Sequence, residues 1–488
     1  MRISRNTKFL LNIMATALMI YGIALIPSIL MGIRYHEDFM HYIFIISVIF
    51  ITLGLLGNRF FSSEGKVTGL RTCYMTTVAT WGMLILFTTL IFFLAGQGYT
   101  LSESFFESAA AWTTTGASSI GVPGMPVTLQ LIRSTCNWLG GIGIIFLTLT
   151  FLPNWQFVGQ KLISTEVPGP QFLTTGTTFR KTYRRIIAIY MLFTLLQFIL
   201  LYAAGMPRFH ALLSALSNVS TAGLQHLTAR ELILSSPAVK IILTVFAFCG
   251  AMNYSTFILL IRGKFDTVKK NSEIKVFSIL ILSAAVIMTV YMRVTGSVHT
   301  LLPTFGRSIM QAVSFASTSG YVITDISAWP NFAKSMLILL AIIGGCAVST
   351  AGGVKIARLI CVLKTVSYGN LRHIHPRIVK PIIFNGKTIN NNVIWKVNIY
   401  LLTFMIALFA GAAVISLSTA SVSDAMNISI AMITNNGTTV SGNLGANFGA
   451  LSSFSKFAAS ILMIMGRLEI YPIVLLFFKS FWQHEANH

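Results

Sequence analysis

Charge is scarce in this chain. Only 10% of its 488 residues are Asp, Glu, Lys or Arg, where a soluble domain carries about 25%. Acids are rarer still, 13 against 35 Lys and Arg, for a formal net charge of +22. Among the apolar segments, Arg467 and Glu469 are the strongly charged residues at membrane depth. An intramembrane enzyme would need a catalytic acid–base or nucleophile pair there, and none is present. The five cysteines (Cys73, Cys136, Cys249, Cys346, Cys361) are scattered without ligand spacing, which excludes a disulfide framework or a zinc site. His373 and His375 in LRHIHPR have no nearby carboxylate or thiolate and read as a solvated basic loop rather than a metal pair. No Walker loop or nucleophile elbow is found, so the chain is not expected to be a hydrolase or nucleotide enzyme. Basic stretches are not interleaved with aromatics as a base-stacking surface would be, so nucleic acid is not an expected partner.

Apolar residues are abundant. They make up 55% of the chain, and mean hydropathy is +0.76. Runs such as FLLNIMATALMIYGIALIPSILMG and IIAIYMLFTLLQFILLYAAG recur along the whole length. A bilayer core about 30 Å thick needs roughly 20 such residues. The fold class is therefore an all-α polytopic membrane protein. The first run follows MRISRNTK but is too long for a secretory signal and has no small-residue cleavage site, so it reads as a retained helix. With the N-terminus inside, stretches 1–8, 59–71, 161–185, 262–275 and 355–396 hold 24 of the 35 Lys and Arg. Positive charge collects on cytoplasmic loops, so both termini are expected in the cytoplasm.

One pattern occurs four times. LSESFFESAAAWTTTG, RFHALLSALSNVSTAG, FGRSIMQAVSFASTSG and VSDAMNISIAMITNNG end at Gly116, Gly223, Gly320 and Gly437, separated by 107, 97 and 117 residues. Three residues before each glycine stands a hydroxyl (Thr113, Ser220, Ser317, Thr434). Eight and twelve before, every residue is small (Ser108, Ala215, Ala312, Ser429; Ser104, Ala211, Ser308, Ala425). Small residues four apart share a helix face and let backbones approach closely. Four aligned copies indicate internal repetition. Each lies between two apolar segments, giving an M1–pore loop–M2 unit. The M1 helices are expected near 72–96, 184–205, 272–296 and 393–416, and the M2 helices near 127–152, 238–261, 333–364 and 456–480. Two more helices, near 9–33 and 40–60, precede them. The expected divisions are an N-terminal pair (1–70) and four pore repeats (71–160, 161–265, 266–370, 371–488).

A helix of ten to twelve residues is too short to span and suits a re-entrant segment, which survives only beside protein or a water-filled cavity. Glycine tolerates positive φ, so successive carbonyls can point to one side and replace the hydration shell of a monovalent cation. The hydroxyls before the glycine can add oxygens or brace the turn. Pore-helix C-termini would turn partial negative charge toward the ion. The candidate ion-contacting residues are Thr114, Thr115 and Gly116; Thr221, Ala222 and Gly223; Thr318, Ser319 and Gly320; and Asn435, Asn436 and Gly437. Glu103, Glu107 and Asp424, in or near the first turns, read as helix caps in preference to cation attractors.

With these four loops, TTTGAS at 113–118, TEVPGP at 165–170, GGCAVSTAGGVK at 344–355 and GRLE at 466–469, the chain resembles the Trk/Ktr/HKT superfamily of potassium uptake proteins, specifically the bacterial Trk-type membrane subunit. The resemblance covers essentially the whole chain. It implies gated potassium uptake across the inner membrane, driven mainly by membrane potential, with one pore per subunit and a homodimer. It also implies a cytosolic nucleotide-binding regulatory subunit of the TrkA type, for which the basic 355–396 stretch is a candidate docking surface. Potassium is the expected substrate, with no cofactor. A glycine at the first loop, here Gly116, goes with potassium preference in the superfamily. Gly344, Gly345, Ser349, Thr350, Gly352 and Gly353 match an intramembrane gating loop, and Arg467 matches an arginine in the permeation path. Lys355 is a second basic candidate near the cytoplasmic mouth.

Three departures from that pattern are visible. Val219-Ser220-Thr221-Ala222-Gly223-Leu224 lacks a Gly-Gly, Asn435-Asn436 replaces hydroxyls, and the second M2, FCGAMNYSTFILLIRG, has no glycine-rich break. Fourfold symmetry is therefore expected to fail at the gate. A salt bridge from Arg467 to Glu469 is not expected, because residues two apart diverge on a helix. The alternative function is a potassium/sodium or proton-coupled symporter. Such folds use inverted or paired repeats around a midplane site, whereas these four read as parallel.

Overall fold

The computed structural model describes residues 4–61, 70–143 and 178–482, apart from 225, 299, 376, 378–380, 386, 390 and 441–447. In chain order the helices are α1 (Arg5–Tyr35), α2 (Met40–Phe60), α3 (Leu70–Leu94), α4 (Leu101–Trp112), α5 (Val127–Ile142), α6 (Thr178–Ala203), α7 (Arg208–Val219), α8 (Ala229–Leu234), α9 (Pro237–Ala251) and α10 (Tyr254–Ile261). They continue with α11 (Phe265–Lys269), α12 (Ser272–Val294), α13 (Leu301–Ala316), α14 (Asn331–Ile343) and α15 (Ile356–Ile374). After the two-residue antiparallel strands β1 (Ile383–Phe384) and β2 (Lys387–Thr388) come α16 (Asn391–Ile415), α17 (Val422–Ile433), α18 (Ser453–Arg467), α19 (Tyr471–Val474) and α20 (Lys479–Trp482).

Among the described residues, six helices are long and apolar enough to cross a membrane: α1, α2, α3, α6, α12 and α16. Their outward faces carry large apolar side chains such as Phe44, Leu53, Leu195, Ile279 and Leu402, all exposed. Such a surface suits lipid. Their inner faces meet a core centred on Tyr21, Trp81 and Trp112 at one side and on Phe277, Phe315 and Phe404 elsewhere.

The segments read as M2 helices are not continuous spans. The second bends by 98° between α9 and α10, and the fourth by 116° between α18 and α19. The third opens into a loop between Gly344 and Lys355. The first ends at Gly143 with φ +83°, and its expected continuation to 152 lies outside the described residues. The second segment, read as having no glycine-rich break, is nevertheless bent. No glycine run is needed there: Asn253 caps a new helix by accepting from Ser255 N at 2.9 Å, while Met252 is extended. In the fourth, Pro472 sits in the first turn of α19, where its missing N–H costs nothing.

The short helices and their neighbours follow a closed order. α3 packs on α4, α6 on α7, α12 on α13 and α16 on α17. Each glycine loop is followed by a helix that packs against the next short helix: α5 on α7, α9 on α13, α14 on α17, and α18 back on α4. The ring thus closes on itself. α1 packs against α3 and α5 outside it. It reaches the first loop through Tyr21, whose hydroxyl accepts from Thr88, which in turn accepts from Trp112 Nε1, both at 2.8 Å.

Candidate functional site

The four short helices end at equivalent residues. Their C-caps are Thr113, Ser220, Ser317 and Thr434, the hydroxyls three before each glycine. Each hydroxyl bonds back to a carbonyl of its own helix: Thr113 to Ala109 O at 2.6 Å, Ser220 to Leu216 O at 2.9 Å, Ser317 to Ser314 O at 3.1 Å and Thr434 to Ile430 O at 2.7 Å. These hydroxyls brace the helix ends. One residue later the backbone turns left-handed in all four copies, at Thr114 (φ +55°), Thr221 (+57°), Thr318 (+55°) and Asn435 (+55°). A non-glycine residue at such angles is uncommon and is held there only by its surroundings. The glycines follow at +73°, +84°, +64° and +67°.

The amides of these loops are used internally. Thr115, Ala222, Ser319 and Asn436 donate N–H to the carbonyl five residues earlier, at Ala110, Ser217, Ser314 and Ala431, over 2.8–3.0 Å. With the N–H groups turned into the helix, the carbonyls are presented elsewhere. A Cβ built on Gly437 would lie 1.8 Å from Thr115 O, and one on Gly320 would lie 2.0 Å from Asn436 O. The fourth loop therefore meets the first, and the third meets the fourth, carbonyl against glycine. Thr438 Oγ1 donates to Gly320 O at 2.5 Å, and Asn435 Nδ2 to Thr115 Oγ1 at 2.9 Å. All twelve candidate ion-contacting residues are brought together here, and the side chains of Thr114, Thr115, Thr221, Ala222, Thr318, Ser319, Asn435 and Asn436 are buried. In the fourth loop, Oδ1 of Asn435 and of Asn436 has no hydrogen-bond partner among the described residues.

The loop at 344–355 lies directly against this ring. Thr350 Oγ1 donates to Val219 O at 3.2 Å and to Gly250 O at 3.0 Å, and Gly352 N donates to Thr318 Oγ1 at 2.7 Å. A Cβ on Gly352 would lie 2.1 Å from Thr434 O. The helices on either side stay linked across the loop, since Val354 N and Lys355 N donate to Ile342 O and Ile343 O at 2.9 and 2.8 Å. Ser349 Oγ closes the loop on Cys346 O at 2.6 Å. Arg467 donates to Thr350 O at 2.7 Å and to Gly140 O and Gly141 O at 2.5 and 2.8 Å. Its guanidinium therefore spans the loop and the end of α5. Glu469 does not pair with Arg467; it binds Arg358 in a buried pair, with the Arg358 guanidinium 4.0 Å over the Tyr400 ring. Lys355 is buried and donates to Ala351 O. Gly141, Tyr190, Thr350, Asn435, Arg467 and Glu469 are among the residues lining a cavity of about 60 Å³, room for a few waters or one partly hydrated ion.

The model of the TrkH family, described as "Cation transport protein", matches residues 40–488. The chain belongs to this family. Relatives across this TrkH-family chain include the Trk system potassium uptake protein TrkH of Halomonas elongata, 28% identical over 98% of this chain and all of that protein. TrkG of Escherichia coli, of the same system, is 27% identical over 95% of this chain and 96% of its own. The crystal structure of the potassium transporter TrkH from Vibrio parahaemolyticus shares the fold, with a TM-score of 0.85 and 23% identity over 98% of this chain and 99% of that one. Family membership makes the chain a multi-pass transport protein rather than an enzyme.

Two residues of this family member went unread in the sequence. Glu107, taken as a cap, is fully buried, and Arg133 is 3% exposed. They pair at 3.0 Å behind the first glycine loop. One charge in the short helix and one of opposite sign in the apolar helix that follows were the available signal, because buried charges must be paired. Glu103 is the residue that caps, accepting from Thr100 N at 2.9 Å and from Lys456 at 3.0 Å. The TEVPGP motif at 165–170 lies outside the described residues.

Proposed function

We propose that the chain conducts potassium into the bacterial cell across the inner membrane, through a selectivity filter formed by the four glycine loops. The observation that carries this reading is the fourfold recurrence of a left-handed residue followed two positions later by a left-handed glycine, with the amides turned inward to the helix. A ring of carbonyls at helix C-terminal ends is the arrangement that replaces cation hydration. Relatives named as potassium uptake proteins support potassium as the cargo. The divisions 1–70, 71–160, 161–265, 266–370 and 371–488 serve as an N-terminal pair and four pore repeats.

The 344–355 loop and Arg467 are the gate in this proposal. The loop occupies the space against the filter, and Arg467 places a fixed positive charge where a cation would leave. Entry is driven by the membrane potential, about 2.3 kcal/mol per unit charge per 100 mV. The excess of basic residues in alternate loops supports cytoplasmic termini. A homodimer and a TrkA-type subunit docking on the basic 355–396 stretch complete the reading. Purified protein in liposomes, with and without a regulatory subunit, tests it: potassium flux is expected, and its absence under both conditions refutes the pore.

A further inference from the structure

The glycine loops share their backbone but not what stands behind it. Nine residues before each glycine, the short helix carries Glu107, Ser214, Gln311 or Ile428. In the first three copies this residue holds the segment three positions past the glycine. Glu107 Oε1 accepts from Ser119 N at 2.6 Å, Ser214 Oγ lies 3.0 Å from His226 Nε2, and Gln311 Oε1 accepts from Ile323 N at 3.4 Å. Ile428 has no hydrogen-bonding side chain. The same staple is therefore ionic, neutral or missing, according to the copy.

The ionic copy does more than close the turn. Glu107 Oε1 also accepts from Ser118 Oγ at 2.8 Å, while its Oε2 accepts from Arg133 Nε at 3.0 Å. Arg133 Nη2 then donates to Gly116 O at 2.9 Å and to Ala117 O at 2.6 Å. Both side chains are buried. Two successive carbonyls of the first loop are thus held by a guanidinium on α5, and the carboxylate on α4 neutralises that charge. Among the described residues no arginine holds the glycine carbonyl of another loop; Gly320 O is held by a threonine hydroxyl.

We propose that the Glu107–Arg133 pair is a specificity-determining brace. It fixes the spacing of the first loop from behind, and it cancels the positive charge of Arg133 next to the ring, so that cation preference depends on two residues that do not touch the ion. This rests on the four loops being the filter. Charge-assisted hydrogen bonds are shorter and roughly twice as strong as neutral ones, so the first loop resists closing around a smaller cation more than its partners do. Loss of the carboxylate charge frees Arg133 from its counter-ion and leaves a cation beside the ring.

The test compares Glu107→Gln, Glu107→Asp and Arg133→Lys with Glu103→Gln in proteoliposomes, reading the potassium-to-sodium flux ratio together with thermal stability of the purified protein. Glu107→Gln places in the first loop the amide that Gln311 already supplies in the third. The expected result is a several-fold fall in the ratio for Glu107→Gln and Arg133→Lys, a smaller fall for Glu107→Asp, and an unchanged ratio for Glu103→Gln, which loses a carboxylate from the same helix. An unchanged ratio in Glu107→Gln with potassium flux present overturns the brace and leaves the pore reading intact. Failure of all three brace variants to give folded protein assigns the pair to folding and also overturns it. Absence of potassium flux in the wild-type chain is a different failure, that of the filter reading itself.

Discussion

Gly437 meets two separate demands: its φ is +67°, and a Cβ there would lie 1.8 Å from Thr115 O. Gly306, in α13, meets neither, with open space around its Cβ position. Gly437→Ala is expected to abolish potassium flux or prevent folding. Gly306→Ala is expected to keep flux and to raise stability by about 0.5–1 kcal/mol, as read by thermal unfolding. Equal outcomes for the two would mean that close packing of the ring is not what requires glycine. Gly116→Ser is expected to lower the potassium-to-sodium ratio on the order of tenfold, about 1.4 kcal/mol; an unchanged ratio removes Gly116 from the selective site. The glycines were legible in the sequence because four copies aligned. The left-handed angles at Thr114, Thr221, Thr318 and Asn435 were not, since residue type alone does not force φ > 0 on threonine. The fate of the preceding hydroxyls was equally hidden, because a serine or threonine can face an ion or its own helix with the same composition.

At the scale of the element, apolar length identified the spans while their breaks depended on single polar residues. Asn253, Pro472 and the glycines of 344–355 each interrupt an apolar run, and only the last was read as a break. Tertiary contact supplies the rest: Cys346 N and Thr350 N find the carbonyls of Ala251 and Gly250, freed where α9 ends. The bend of one segment thus accommodates the loop of the next. Because Val354 and Lys355 already bond to Ile342 and Ile343 across the loop, deleting residues 346–351 is expected to leave the flanking helices linked and to raise potassium flux. Arg467→Ala is expected to raise flux as well, since it removes both the charge and the tether to Thr350 O. A flux unchanged in both variants, with folded protein, contradicts a gate at this place. Glu469→Ala tests the neighbouring pair. It would leave Arg358 buried without its carboxylate, at a cost of about 3–5 kcal/mol, and a thermal unfolding temperature equal to wild type would show that the pair is not needed for stability.

For the whole molecule, the arrangement is a ring closed by packing each post-loop helix on the next short helix, with α18 returning to α4. Sequence spacing suggested four units but gave no order in space, because contacts between residues some 350 apart, such as Lys456 with Glu103, leave no local pattern. The charge reading gave only an expected orientation, and it could not show that Arg133 and Lys456, outside its basic stretches, are buried in ion pairs. The central claim is that the ring passes potassium. The direct measurement is uptake of a radiolabelled potassium congener, rubidium, into proteoliposomes under an imposed inside-negative potential, with unlabelled potassium or sodium as competitor. The account predicts potential-dependent uptake that potassium suppresses at lower concentration than sodium. No uptake above protein-free liposomes, with or without a regulatory subunit, would contradict it.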